Sequence, residues 1–170
     1  MIMYIVYTNP LKDQDLEIEL KENFLRLAGI IKPNDYIQLQ KVLQYFDRSQ
    51  TLEIFIQTKG GALKEALEMA HFMEEFETII HPYKNVDSSG LLLLMVGKKR
   101  PANFFGTNPT FLFHLPYDIQ TGNVLEDSYV KDYVTVMSPY LKIGKNEILQ
   151  LLKNQKSISV NKAKKIGLVN

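Results

Sequence analysis

The chain has 170 residues, enough for one domain that buries most of its unfolded surface, and its 45% apolar and 23% charged residues are ordinary for a globular protein. A formal net charge of +1 argues against a dominant role in binding nucleic acid or anionic membrane, and the absence of cysteine excludes disulfides, thiolate zinc sites and a cysteine nucleophile. The longest aliphatic run, Leu91 to Val96, is far short of the ~20 residues of a membrane span, so a single domain over residues 1–170 in the cytoplasm is expected.

The apolar N-terminus, Met1 to Tyr7, lacks a basic flank and reads as a strand rather than a signal peptide. Leu25 to Ile31 is suited to a buried strand, closed by Pro33. Asn34 can cap a helix running to about Phe46, with Ile37, Leu39, Val42, Leu43 and Phe46 giving its apolar face. Leu52 to Ile56 follows as a short strand, punctuated by Thr58-Lys59-Gly60-Gly61. A second helix sets Leu63, Leu67, Ala70, Met73 and Phe76 on one face and Lys64, Glu65, Glu68 and Glu75 on the other.

Thr78 to Tyr83 reads as another strand, and Ser89 to Val96 is apolar on all sides, as a buried helix would be. Thr110 to Phe113 forms a further strand with His114 at its end. After Gly122 the pattern turns helical, with Val130, Tyr133, Val134 and Met137 on one stripe that Pro139 ends. A shorter helix covers Glu147 to Leu152, and Ser159 can start a last one stopped at Gly167. Strand–helix alternation predicts an α/β fold with a mostly parallel sheet, helical crossovers and a helical appendage.

Two turns fall where chemistry can be built. Gly60-Gly61 lies between a strand and a helix, where glycine permits positive φ and lets backbone N–H groups face a ligand; it also serves as a plain turn. Asp87-Ser88-Ser89-Gly90 has the same context, so Ser88 is either a helix cap or a presented nucleophile whose following N–H can stabilise an oxyanion. Of the three histidines, His71 lies in an acidic helix and His81 in an edge-like strand beside Pro82, both reading as surface or packing residues. His114 stands at the mouth of the sheet, where ligands bind in open α/β folds. Glu74, Glu75 and Glu77 read as a solvated patch, with no histidine at ligand spacing to make a metal site, and Lys98-Lys99-Arg100 as a solvated turn.

Five blocks in this order resemble the ClpP family of serine peptidases within the ClpP/crotonase superfold. They are LKENFLRLAGII (Leu20 to Ile31), IFIQTKGG (Ile54 to Gly61), SSGLLLLMVGKKR (Ser88 to Arg100), TFLFHLP (Thr110 to Pro116) and KKIGLVN (Lys164 to Asn170). The resemblance implies a spiral of mostly parallel βαβ units with a C-terminal helical handle. It implies Ser88 as nucleophile, His114 as general base and the N–H groups of Gly61 and Ser89 as the oxyanion hole, with Ser89 as the rival nucleophile.

The family's third triad member is an aspartate before the final helix. Here that position falls on Gln155, and no Asp or Glu follows Glu147, which leaves Asp118 as a substitute. An amide can orient the ring but brings no charge, and in serine proteases the loss of that charge costs about 10⁴ in kcat. Lys59 stands where the family has proline, and the handle region is shorter than usual.

The leading expectation is an intracellular serine endopeptidase acting on peptides or proteins through an acyl-enzyme, without metal or cofactor. By resemblance it would self-associate in a ring and could serve an AAA+ unfoldase. The alternatives are a degenerate ClpP-like assembly or regulatory subunit and a crotonase-like acyl-CoA enzyme.

Overall fold

The computed structural model describes residues 14–102, 106–118 and 121–170; the strand expected at Met1 to Tyr7 lies outside them. The strands are β1 (Glu17–Lys21), β2 (Phe24–Ile31), β3 (Leu52–Gly61), β4 (Thr78–Asp87), β5 (Thr110–Leu112) and β6 (Ser157–Ile158). They form a six-stranded sheet whose spatial order follows the chain, β1 to β6. The central pairings β2–β3, β3–β4 and β4–β5 are parallel, and β1 and β6 close the two sides antiparallel. The helices are α1 (Asp35–Leu43), α2 (Leu63–Met73), α3 (Gly90–Met95), α4 (Asp127–Met137), α5 (Lys145–Asn154) and α6 (Val160–Lys165), with a 3-10 turn at Ser138–Tyr140. This is the expected α/β architecture with helices gathered after β5. Among the described residues no helix is long and apolar enough to cross a membrane.

Period-two alternation places Leu25 and Leu27 of β2 and Ile54 and Ile56 of β3 in the core, joined by Ile80 of β4. Helix α3 is buried on every side, which accounts for its unbroken aliphatic run, and α2 packs against it through an apolar face. The buried face of α2 is Ala66, Met69, Ala70 and Met73, while Leu63 and Leu67 lie at its margin. In α4 the expected stripe of Val130, Tyr133, Val134 and Met137 is the buried one. Ser159 caps α6, its side chain accepting the Lys162 N–H at 3.5 Å.

Several boundaries differ from the sequence expectation. Both β3 and β4 run ten residues, so the Thr58–Gly61 segment and the stretch to Asp87 remain in the sheet. Asn34 starts α1 through a left-handed backbone (φ 79°) with no side-chain cap; the Asp35 carboxylate instead accepts the Lys32 N–H at 2.7 Å. Arg100 is not a solvated turn residue. Its guanidinium donates to the Met95 carbonyl at 2.9 Å, and its backbone N–H and carbonyl both bond Asn170, at 2.7 and 2.9 Å.

His81 lies on the interior strand β4, not on an edge of the sheet. It is 6% exposed and stacks on Phe55 of β3 with ring centroids 5.1 Å apart. Next to it, Pro82 pairs with Ile56 on the β3 side, between the Lys99 bridge at Ile79 and the start of β5 pairing at Asn85. There β4 lacks a strand on its second side among the described residues, so the missing proline N–H breaks no ladder bond.

Burial holds the His81 imidazole below its usual 6.5, against the opposing effect of the Glu53 carboxylate 2.9 Å from Nε2. As pH falls through 6.5 the unfolded chain therefore takes up a proton that the folded ring resists, and stability is lost until the folded ring also protonates. The thermal midpoint is expected to fall as pH is lowered below 6.5, and His81→Gln should flatten that slope. Equal slopes in the two proteins would contradict this account of His81.

Candidate active site

Three parallel strands end at one side of the sheet, and each delivers part of the site. β3 ends in Gly60-Gly61, β4 in Asp87 followed by Ser88, and β5 is followed by His114. A cavity of about 340 Å³ opens there, lined by Gly60, Gly61, Ser88, Ser89 and His114 among others.

Ser88 has φ 56°, a left-handed conformation uncommon outside glycine. The turn reverses the chain sharply between β4 and α3. It is held from both sides, since the Ser88 N–H donates to the Leu112 carbonyl at 2.8 Å and the Ser88 carbonyl accepts the Leu91 N–H at 3.0 Å. From α4, the buried Tyr133 hydroxyl donates to the same carbonyl at 3.2 Å. Burial pushes that phenol strongly up, so it remains a donor. The helix-cap reading of Ser88 is not what the geometry gives: the residue at the N-cap of α3 is Ser89, and it makes no side-chain cap bond.

Ser89 is 2% exposed, and its hydroxyl donates to the Gly61 carbonyl at 3.1 Å. It ties the glycine turn to the serine turn. Gly60 lies so close to the serine turn that a Cβ there would sit 2.6 Å from Ser88 Cβ and 2.8 Å from the Asp87 carbonyl, at a φ of 87° that disfavours side chains. Gly61 (φ 143°) lies equally close to Ile31, whose carbonyl oxygen would be 2.1 Å from an added Cβ.

The His114 Nδ1 lies 2.8 Å from the Leu115 carbonyl. A carbonyl only accepts, so Nδ1 carries the hydrogen and, in the neutral ring, Nε2 carries the lone pair. The ring lies beside Tyr117, centroids 5.3 Å apart. Among the described residues, Ser88 and His114 both line the cavity, with no hydrogen bond between their side chains.

Gln155, expected to orient His114, is not brought to the cavity. It is exposed at the end of α5 with φ 48°, and Nδ1 is already taken by the backbone. The Asp118 carboxylate accepts the Thr121 N–H at 2.8 Å within its own turn, and the His114 Nδ1 it was expected to hold faces the Leu115 carbonyl. Among the described residues no group of acidic, histidine or cysteine side chains is arranged to hold a metal ion.

Sequence reasoning missed two participants. Tyr133 read only as part of a core stripe, and nothing in its periodicity distinguishes a hydroxyl with a partner. Asp87 stood in plain view beside Ser88. Burial raises its carboxyl pKa, while hydrogen bonds from Asn85 and the Leu112 N–H and the charges of His114 and Lys59 act in the opposite direction.

Sequence comparison matches no protein-family model and no curated protein. Structural comparison matches the crystal structure of the ClpP protease catalytic domain from Plasmodium falciparum with a TM-score of 0.71 and 18% identity, covering 87% of this chain and 83% of that one. The fold is thus ClpP-like, in agreement with the sequence expectation.

The close approach at Gly60 gives a direct check. Gly60→Ala should lower stability in urea unfolding by about 1–3 kcal/mol, the usual cost of forcing atoms into a packed position. A change within experimental error would mean that the serine turn does not press on Gly60.

Proposed function

We propose that the chain is a ClpP-like serine endopeptidase subunit, residues 1–170 acting as one domain. The observation that carries this reading is the pairing of a left-handed Ser88, presented between a strand and a buried helix, with a His114 whose Nδ1 is fixed on a backbone carbonyl. That tautomer leaves Nε2 as the base for the serine hydroxyl. Ser88 Oγ attacks a peptide carbonyl and its proton passes to Nε2. The tetrahedral oxyanion is received by the Gly61 and Ser89 N–H groups, the leaving amine takes the proton, and water hydrolyses the acyl-enzyme.

Ser88 is favoured over Ser89 as nucleophile. The Ser89 hydroxyl is buried and engaged with Gly61, whereas Ser88 lines the cavity with no such bond. Ile30, Leu63, Pro116 and Leu125 give the cavity apolar walls, suited to a hydrophobic substrate side chain. The same reading includes a cytoplasmic ring of identical subunits, fed by an AAA+ unfoldase, by likeness of fold to a protease domain.

One observation favours a second reading, a degenerate assembly or regulatory subunit: a neutral carbonyl, not a carboxylate, holds Nδ1. A fluorophosphonate probe separates the two. The wild type should label, Ser88→Ala should not, and Ser89→Ala should retain labelling. His114→Gln should label about 10²–10⁴-fold more slowly, the usual contribution of a general base. No labelling of the wild-type oligomer would favour the degenerate subunit. Light scattering on a sizing column should show a multimer, and a clean monomer would contradict ring assembly.

A further inference from the structure

Asp87 occupies a place that the proposed mechanism leaves unused. It ends β4 one residue before Ser88 and pairs in register with Leu112, two residues before His114. Both carboxylate oxygens are engaged. Oδ1 accepts the Leu112 N–H at 3.0 Å, and Oδ2 accepts the Asn85 amide at 2.9 Å. The same Asn85 amide also donates to the Thr58 carbonyl of β3 at 3.2 Å. The Asp87–Asn85 pair therefore links the ends of the three strands that carry the glycine turn, the serine and the histidine.

We propose that Asp87 is the positioning residue of this site: it fixes the end of β5 beneath His114 and supplies, through space, the negative charge that a carboxylate on Nδ1 would otherwise give the imidazolium. The proposal rests on the reading of Ser88 and His114 as nucleophile and base. The charge of His114 acts to lower the carboxyl pKa of the half-buried Asp87, and partial burial leaves such an effect less screened than in bulk water. The groups facing this region are the Asp87 carboxylate from β4, the Lys59 ammonium from β3, the Tyr117 phenol from the histidine's own loop and the Tyr133 phenol from α4. Only Asp87 among them brings negative charge at neutral pH, and Lys59 acts against it.

The geometry also separates Asp87 from a merely structural clamp. An asparagine at this position can still accept the Leu112 N–H through its amide oxygen and gives up only the bond from Asn85, but it carries no charge. If Asp87 only held the strands, the histidine would titrate alike with either residue.

The test follows His114 by NMR across pH in the full chain, with His114→Gln used to assign its resonances. In Asp87→Asn the His114 ring should lose its proton at lower pH than in the wild type, the direction expected on removing a nearby opposite charge. The acid limb of fluorophosphonate labelling should move down with it. Thermodynamic reciprocity supplies a second measurement should Asp87→Asn fail to fold: His114→Gln should raise the Asp87 carboxyl pKa, read from its side-chain carbon. An unchanged His114 pKa in folded Asp87→Asn, or an unchanged Asp87 in His114→Gln, would overturn the proposal. Loss of wild-type labelling with the His114 shift intact would instead overturn the peptidase reading alone.

Discussion

Ser88 carries a side chain in a backbone conformation that costs a non-glycine residue about 1–3 kcal/mol, and the surroundings of the site are organised to keep it there. Its N–H is held by β5, its carbonyl by α3 and α4, and its Cβ rests against a glycine that leaves just enough room. Each of these supports comes from a different part of the chain. Relaxing Ser88 to ordinary geometry would point its hydroxyl elsewhere and break the contacts that join the sheet to the helical region. The parallel register of β3, β4 and β5 matters for the same reason, since it brings three strand ends to one side of the sheet.

Much of this was legible in the sequence because burial leaves a periodic trace. The all-apolar run of α3, the stripe of α4 and the strand ending at His114 were each readable from side-chain pattern alone. Strand lengths were not. Thr58, Lys59 and the two glycines read as a turn, yet β3 runs through them because β2 supplies partners as far as Ile31. His81 read as an edge residue because of Pro82, whereas the sheet simply has a local gap beside that proline.

Candidate residues could be picked out in the sequence, but not how they are wired together. Ser88, Ser89, Gly61 and His114 line one cavity. The partner of the histidine could not be read, because a backbone carbonyl leaves no mark on residue identity. Counting along the family pattern led to Gln155, but α5 ends there in a left-handed cap that leaves its side chain in solvent. Asp87 was overlooked for the opposite reason. A carboxylate next to a turn serine usually reads as turn chemistry, and only strand pairing reveals that it reaches across to β5.

The sheet's strand order bears on when the site comes into being. Because each strand lies beside its predecessor, a chain emerging residue by residue can add each strand to a growing edge once the crossover before it has formed. The serine turn, however, draws its restraints from Leu112 and from Tyr133, which emerge later. Until those segments arrive only the Leu91 N–H and the contact with Gly60 restrain the strained backbone, and a nascent fragment ending before α4 still lacks the Tyr133 bond. A serine turn built this way takes its final geometry only when the helical region docks.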